Sequence, residues 1–445
     1  MKLTNRDKYH LHSRTEFFVH HIEIVKTDDC EKAVDAIFKK QKLEPLEFKL
    51  PKWNPEANKK LSQKQRMERN KKWRKEVGEI NALWIKRMTE KDKGLIEKMT
   101  LFWHGHFACR TSDNPYLTLE MNNLLRDNAL GNFRDLLYAV SKSASMIAYL
   151  HLRQNKKGKP NEDFARELCE LFTLGRDVDY TEKDVTEIAR AFTGWSTDPY
   201  GKHIIKVKQH DDGEKLIFGK TGNFSGEDVL EMILKNENCA KRIASKAYKF
   251  FVQEDEVEEH VNELSVALFN SNYDIKVMMK HLFQADWFYK AQGKLIKGPI
   301  EYLVGMAKMF DLEYPDKKAI GGIQHYMGQV LFDPPNVAGW AGGRQWIDAS
   351  RLALRLRLGS LILNRGYVMD ELSPELDEML KGKVKKKDLK FYEKVDWEAF
   401  WKKNKDASMF DLFIRNNNET LKRDYDVSDV KSIIRLISTP DFQLT

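Results

Sequence analysis

Apolar residues recur at three- and four-residue steps along most of this chain, the spacing of helices that bury one face. The pattern predicts helices over 93–109, which carries LFWHGHF, over 130–152, and over 161–174, stopping at Gly175, a residue suited to ending a helix. Thr181-x-x-Asp184 is a capping box that opens another helix, reaching about Phe192. The period changes between His203 and Phe218. There Ile204, Ile205 and Val207, then Leu216, Ile217 and Phe218, flank the polar turn HDDGEK and predict a β-hairpin. Helical spacing resumes from about Gly226 to Asp311 and again from Asp348 to Leu363. Between these, FDPPNVAGWAGG (332–343) is a structured loop, because its Pro and Gly forbid a regular element. The expected fold is mainly α: a helical globular protein with a small β-hairpin insertion around 203–218. Four segments are expected. They are an N-terminal helical stretch (1–50), a charged helical arm (51–92), a core (93–365) and a charged C-terminal helical stretch packing on it (366–445).

Of the 445 residues 42% are hydrophobic, which is enough for a sizeable core and excludes wholesale disorder. No run of about 18 apolar residues occurs, so no membrane-spanning helix is expected. The N-terminal MKLTNRDKYHLHSRTEFF lacks the apolar centre of a secretion signal, so the chain as it stands reads as cytoplasmic. Four dispersed cysteines form no Cys-x-x-Cys pair and read as buried free thiols. The net charge of +8 is mild, but it is uneven. Lys59–Lys75 holds nine basic residues against Glu68 alone, and a second basic run covers Lys381–Lys390. A solvated face on a helix packed through Met67, Trp73, Val77, Ile80 and Trp84 accounts for the first run, so a nucleic-acid partner is not expected.

Four constellations could carry chemistry. His104-Gly105-His106 sits among Phe102, Trp103 and Phe107. Residues two apart on a helix point about 200° apart. The two imidazoles converge on a divalent metal only if the chain leaves the helix at Gly105. Otherwise one is a core residue and the other is at the surface. In NEDFARELCELFTLG (161–175), Asp163, Glu167 and Glu170 fall within about 60° of one another, opposite the apolar face. Such a strip needs a cation, a basic partner or water, and it serves a metal, an acid/base pair or a solvated face equally. His210 and Lys215 border the predicted hairpin turn. The loop PNVAGW (335–340) offers Asn336 and Trp340 as ligand-facing groups or as plugs for a core.

Taken in order, WHGHF, GNFRDLLYAVSKSASMIAYL, NEDFARELCELFTLG, YTEKDVTEIARAFTGW, HDDGEKLIFG, KGPIE and PPNVAGWAGG resemble the bacterial domain-of-unknown-function family numbered 1800. The resemblance is strong over 95–360. HLHSRTEFF and TPDFQLT extend it toward both ends, although Phe18 stands where the opening motif has glycine. The family has no established activity. The resemblance implies recurrent polar positions at His104, His106, Asn161, Glu162, Arg166, Glu167, Glu170, Asp184, Arg190, His210, Lys215 and Asn336. It also implies frequent export and a neighbouring sulfatase-like family as a partner. Asp163 replaces a common Asn and adds to the acidic strip.

Polar groups on four separated segments suggest one shared pocket, since buried polar groups must each be satisfied. The expected function is therefore a hydrolase-like or metal-dependent enzyme with a His/Glu cleft for a polar or polysaccharide-type substrate. In it His104 and His106 ligate a divalent metal, while Glu167, Glu170, His210 and Lys215 do the chemistry. Arg166, Asn161, Asn336 and Trp340 bind substrate. The alternative is a non-catalytic binding or assembly scaffold.

Overall fold

The computed structural model describes residues 1–445 except 177, 179, 315–316, 365–393, 417 and 425–426. Lys381–Lys390 therefore lies outside the described residues. The chain is mainly helical, with two small two-stranded sheets. None of the described helices is long and apolar enough to cross a membrane.

The first helices are α1 (Asn5–Glu16), α2 (Cys30–Lys40), the short α3 (Pro55–Lys59) and the 27-residue α4 (Gln63–Thr89). Ser62 and Gln65 form a reciprocal cap that starts α4. Its second half buries Val77, Ile80, Trp84, Ile85 and Met88. Its first half is solvated, and Met67 is 68% exposed. Next come α5 (Gly94–His106), α6 (Pro115–Asp127), α7 (Phe133–Lys142) and α8 (Ala144–Tyr149). The expected continuous helix over 130–152 is two helices. Ser143 adopts extended backbone and caps α8 through the Met146 amide, which breaks the run.

α9 (Asp163–Glu167) widens into a π-turn over Leu168–Thr173 and ends at Gly175, whose φ is +100°. The predicted Thr181/Asp184 box opens α10 (Glu182–Ala191). The β insertion then departs from expectation in its pairing. β1 (Trp195–Thr197) pairs with β2 (His203–Ile205), and β3 (Lys215–Ile217) pairs with β4 (Lys220–Gly222). The two ribbons are not joined across HDDGEK. The turns that close them are Asp198–Lys202, held by the Asp198 carboxylate on two amides, and Phe218-Gly219. Phe218 and Gly219 both have positive φ, as a two-residue hairpin turn requires.

The remaining helices are α11 (Gly226–Leu234), α12 (Glu237–Phe251), α13 (Glu258–Asn270), α14 (Ile275–Gln284) and α15 (Asp286–Lys290). After them come α16 (Pro299–Phe310), α17 (Lys317–Met327) and α18 (Ala349–Asn364). Four short helices between Trp397 and Ile437 close the chain.

Side chains pack into two hydrophobic cores. The first is built from α2, α5 to α15 and the β insertion. The second joins α1, the buried half of α4, α16 to α18 and the C-terminal helices. α5 lies between them. Buried charge ties the seam. Glu97 on α5 receives Arg126 in two hydrogen bonds (2.8 and 3.0 Å) and Trp84 Nε1 (2.8 Å). Glu301 on α16 pairs with Lys98 of α5 and Arg14 of α1. Removing one partner from such a cluster leaves an uncompensated buried charge.

Candidate functional site

The HGH motif ends α5 at this seam, and helical geometry holds through His106. The two imidazoles therefore do not converge, contrary to the metal expectation. His104 turns toward the second core, packing against Trp84, Phe332 and Trp340. Its Nε2 accepts the Phe332 amide at 3.1 Å. His106 turns toward the first core, where its Nε2–H donates to the Phe172 carbonyl at 3.0 Å. Phe172 is in the last turn before Gly175, where helix carbonyls lack amide partners, and His106 supplies one. Burial pushes His104 down to about 3. Burial, then the charges of Lys246 and Arg242, push His106 down to about 3. Both are neutral at physiological pH.

Between the two rings, Gly105 faces open space on its Cβ side. Gly339 backs onto it so closely that a Cβ there would stand 2.5 Å from the Gly105 carbonyl oxygen. The motif thus clamps three segments: the π-turn through His106, the start of the PPNVAGW loop through His104, and its tip through Gly105. The loop is fixed again at Phe332, whose carbonyl accepts Thr111 N–H at 3.0 Å. Its far end is fixed by Glu254 and Asp255, which hold Arg344.

Above this clamp lies a cleft of about 220 Å³ walled by both cores. Phe102 and His106 line it from α5, Lys246 and Phe250 from α12, and Trp340 and Trp346 from the loop. Two features of its lining stand out. The buried His106 Nδ1 has no hydrogen-bond partner among the described residues. Lys246 has neither a hydrogen bond nor an ion pair among the described residues. Burial, then Arg242 and Lys249, push its ammonium down to about 8. Arg242, one turn away, likewise leaves its buried Nε unpartnered.

The other predicted residues distribute as follows. Trp340 lines the cleft, and Asn336 is exposed, shaping the loop by accepting the Ala338 amide. Glu167 is half-buried and has no ion-pair partner among the described residues. Burial, then Glu170, raise its carboxyl. Glu170 is paired with Arg166 (3.6 Å) and Arg176 (3.0 Å). Arg166 is taken by Glu162 and Glu182, and Asn161 caps Asp163. His210 Nδ1 bonds the Thr193 carbonyl (2.9 Å), and Lys215 bonds the Gly213 carbonyl (2.9 Å) and Asn223 (3.3 Å). With Arg190–Asp211 (2.8 Å), these fix the β insertion on α10 and do not reach the cleft.

Among the described residues no three His, Cys, Asp or Glu side chains are arranged to hold a metal ion, so this donor set does not fit one. Sequence reasoning missed Arg242, Lys246 and Lys249. Their signal was present as basic residues at i, i+4 and i+7, opposite Ile243, Ala244, Ala247 and Phe251.

The profile of the family described as "Protein of unknown function (DUF1800)" matches residues 10–444. The chain belongs to this family. In this DUF1800 protein the WHGHF and PPNVAGWAGG motifs supply the clamp and the loop that line the cleft, and NEDFARELCELFTLG supplies the π-turn that His106 holds. No curated protein and no solved structure matches the chain.

Proposed function

We propose that the cleft over Gly105 is the working site of an acid–base, hydrolase-like enzyme for an anion-bearing polar substrate such as an acidic sugar. The observation that carries this reading is Lys246, a largely buried ammonium with no ion pair or hydrogen bond among the described residues and only Glu256 as a more distant counter-charge, in the same cleft as a ring nitrogen that has no partner among those residues. An uncompensated buried cation is costly, and a bound carboxylate, sulfate or phosphate supplies what it lacks. With an ammonium held near 8, Lys246 can give or take a proton at neutral pH. Trp340 and Trp346 offer flat apolar walls to a sugar ring.

A binding assay with uronic-acid oligosaccharides and their neutral counterparts tests it. The acidic series should bind and the neutral series should not, and Lys246→Met should abolish binding while the fold persists. Equal binding of both series, or unchanged binding by Lys246→Met, rejects the reading.

The scaffold alternative draws on a different observation. Arg166 and Arg190 spend their donors on ion pairs between elements, as an assembly framework would. It expects no ligand in the cleft and no effect of Lys246→Met on any interaction.

A further inference from the structure

A second concave site lies away from the clamp, where α3 and the loop before it face the β1–β2 ribbon. This groove encloses about 710 Å³. Trp53, Tyr116 and Tyr200 line it, with Lys59, Arg153 and Lys206 at its rim. Trp53 is fixed by its Nε1–H on the Pro199 carbonyl (2.9 Å) and by the rings of Tyr116 and Trp73. Tyr200 is 72% exposed. Asp198 is the acid of the lining, and its carboxylate is already occupied by the Tyr200 and Lys202 amides.

The groove adjoins the basic half of α4. Arg69 lies over the Trp73 ring at 4.3 Å and bonds Asn58 of the groove wall. The excess of basic residues between Lys59 and Lys75, nine against one, equals the net charge of +8 carried by the whole chain. Lys59, Lys72 and Lys75 have acidic neighbours. Lys60, Lys64, Lys71 and Arg74 are exposed and have no ion pair or hydrogen bond among the described residues.

We infer that this groove and the adjoining helix bind single-stranded nucleic acid. Aromatic faces in a groove accept successive bases without regard to sequence, while free lysines meet the phosphates. A bilayer surface is too flat to enter a groove, and a neutral glycan gains nothing from the charge. The sequence alone disfavoured this partner because a solvated face on a helix packed through its Met/Trp stripe accounts for the basic run. The fold brings Trp53, Tyr116 and Tyr200 to it from three separate segments.

The test is fluorescence anisotropy of a labelled oligothymidylate against the full chain over a salt series. Binding should weaken steeply with salt. Replacing Lys60, Lys64, Lys71 and Arg74 together with Gln should flatten the log–log slope by roughly 2 to 3. Tyr200→Ala should weaken binding about tenfold and leave the slope unchanged. All five side chains are exposed, so the variants keep their circular dichroism. The inference is overturned by absence of binding at low salt. It is also overturned if dextran sulfate binds as tightly as the oligonucleotide and Tyr200→Ala has no effect, which is the signature of bare polyanion attraction.

Discussion

Replacing Lys246 with Met should make this protein more stable, and the gain should vanish at high pH. The Lys246 ammonium falls from 10.5 to about 8, chiefly through burial and then through Arg242 and Lys249. That fall corresponds to a penalty of about 3 kcal/mol on the charged form in the folded state. Below about pH 8 the lysine is charged in both states, so the folded protein bears the full penalty. Between about 8 and 10.5 the unfolded chain holds the proton and the folded chain does not, so stability rises with pH. Above 10.5 both are neutral and the penalty is gone. Methionine fills the same space without charge, so Lys246→Met should gain about 3 kcal/mol at pH 7. Urea denaturation of both proteins at pH 7 and at pH 10 measures the difference. A variant less stable than the parent at pH 7, or a gap that does not shrink as pH rises, would refute the claim that the Lys246 charge carries a net penalty in the fold. A group that costs stability where it stands is the expected mark of a site kept for use.

Other outcomes follow from the same geometry. Glu97→Gln should cost about 3–5 kcal/mol in denaturant unfolding, because it strands the fully buried Arg126; a loss under 1 kcal/mol would contradict the buried pairing. Gly339→Ala should displace the loop and abolish cleft binding, since the new Cβ meets the Gly105 carbonyl and φ is +83°; an unchanged affinity counts against the clamp. Arg190 holds the Asp211 carboxyl down to about 2. Its stabilisation is therefore complete above about pH 3.8 and lost as pH falls through about 2. Amide protection in the β insertion, measured against the intrinsic exchange rate at each pH, should fall in acid for the parent, and Asp211→Asn should show the reduced protection already at pH 7.

Much of the fold was legible because helical spacing is local. The start of α5, the Gly175 stop and the Thr181 cap depend on residues a few positions apart, and each stands where the pattern puts it, although α5 ends at His106 and not at Cys109. The β pairing was not legible. Phe218 at positive φ is a turn residue that ordinary turn chemistry does not favour, so the HDDGEK stretch looked like the better turn. The site was half legible. His106 and Trp340 are in the cleft, yet the convergence expected of His104 and His106 depended on a helix ending one residue earlier than it does. Lys246 passed unnoticed because a lysine on an amphipathic helix looks solvated. Only the packing of α12 against the π-turn and the loop takes most of it out of water. Which arginines are spent on structural pairs, as Arg166 is on Glu182, is likewise decided by tertiary placement.

The seam between the two cores has a consequence for the order of events on the ribosome. Every residue of the first core lies between Leu3 and Ala291, so that core can assemble while the rest of the chain is still being made. The second core draws on Tyr9 and Trp84 but also on Phe400, Phe413 and Phe442. Until those last helices emerge, the early partners of the second core have nothing to close against. The cleft, walled by both, is therefore among the last parts of the molecule to exist, and a nascent chain carries His106 and Lys246 long before it has the walls around them.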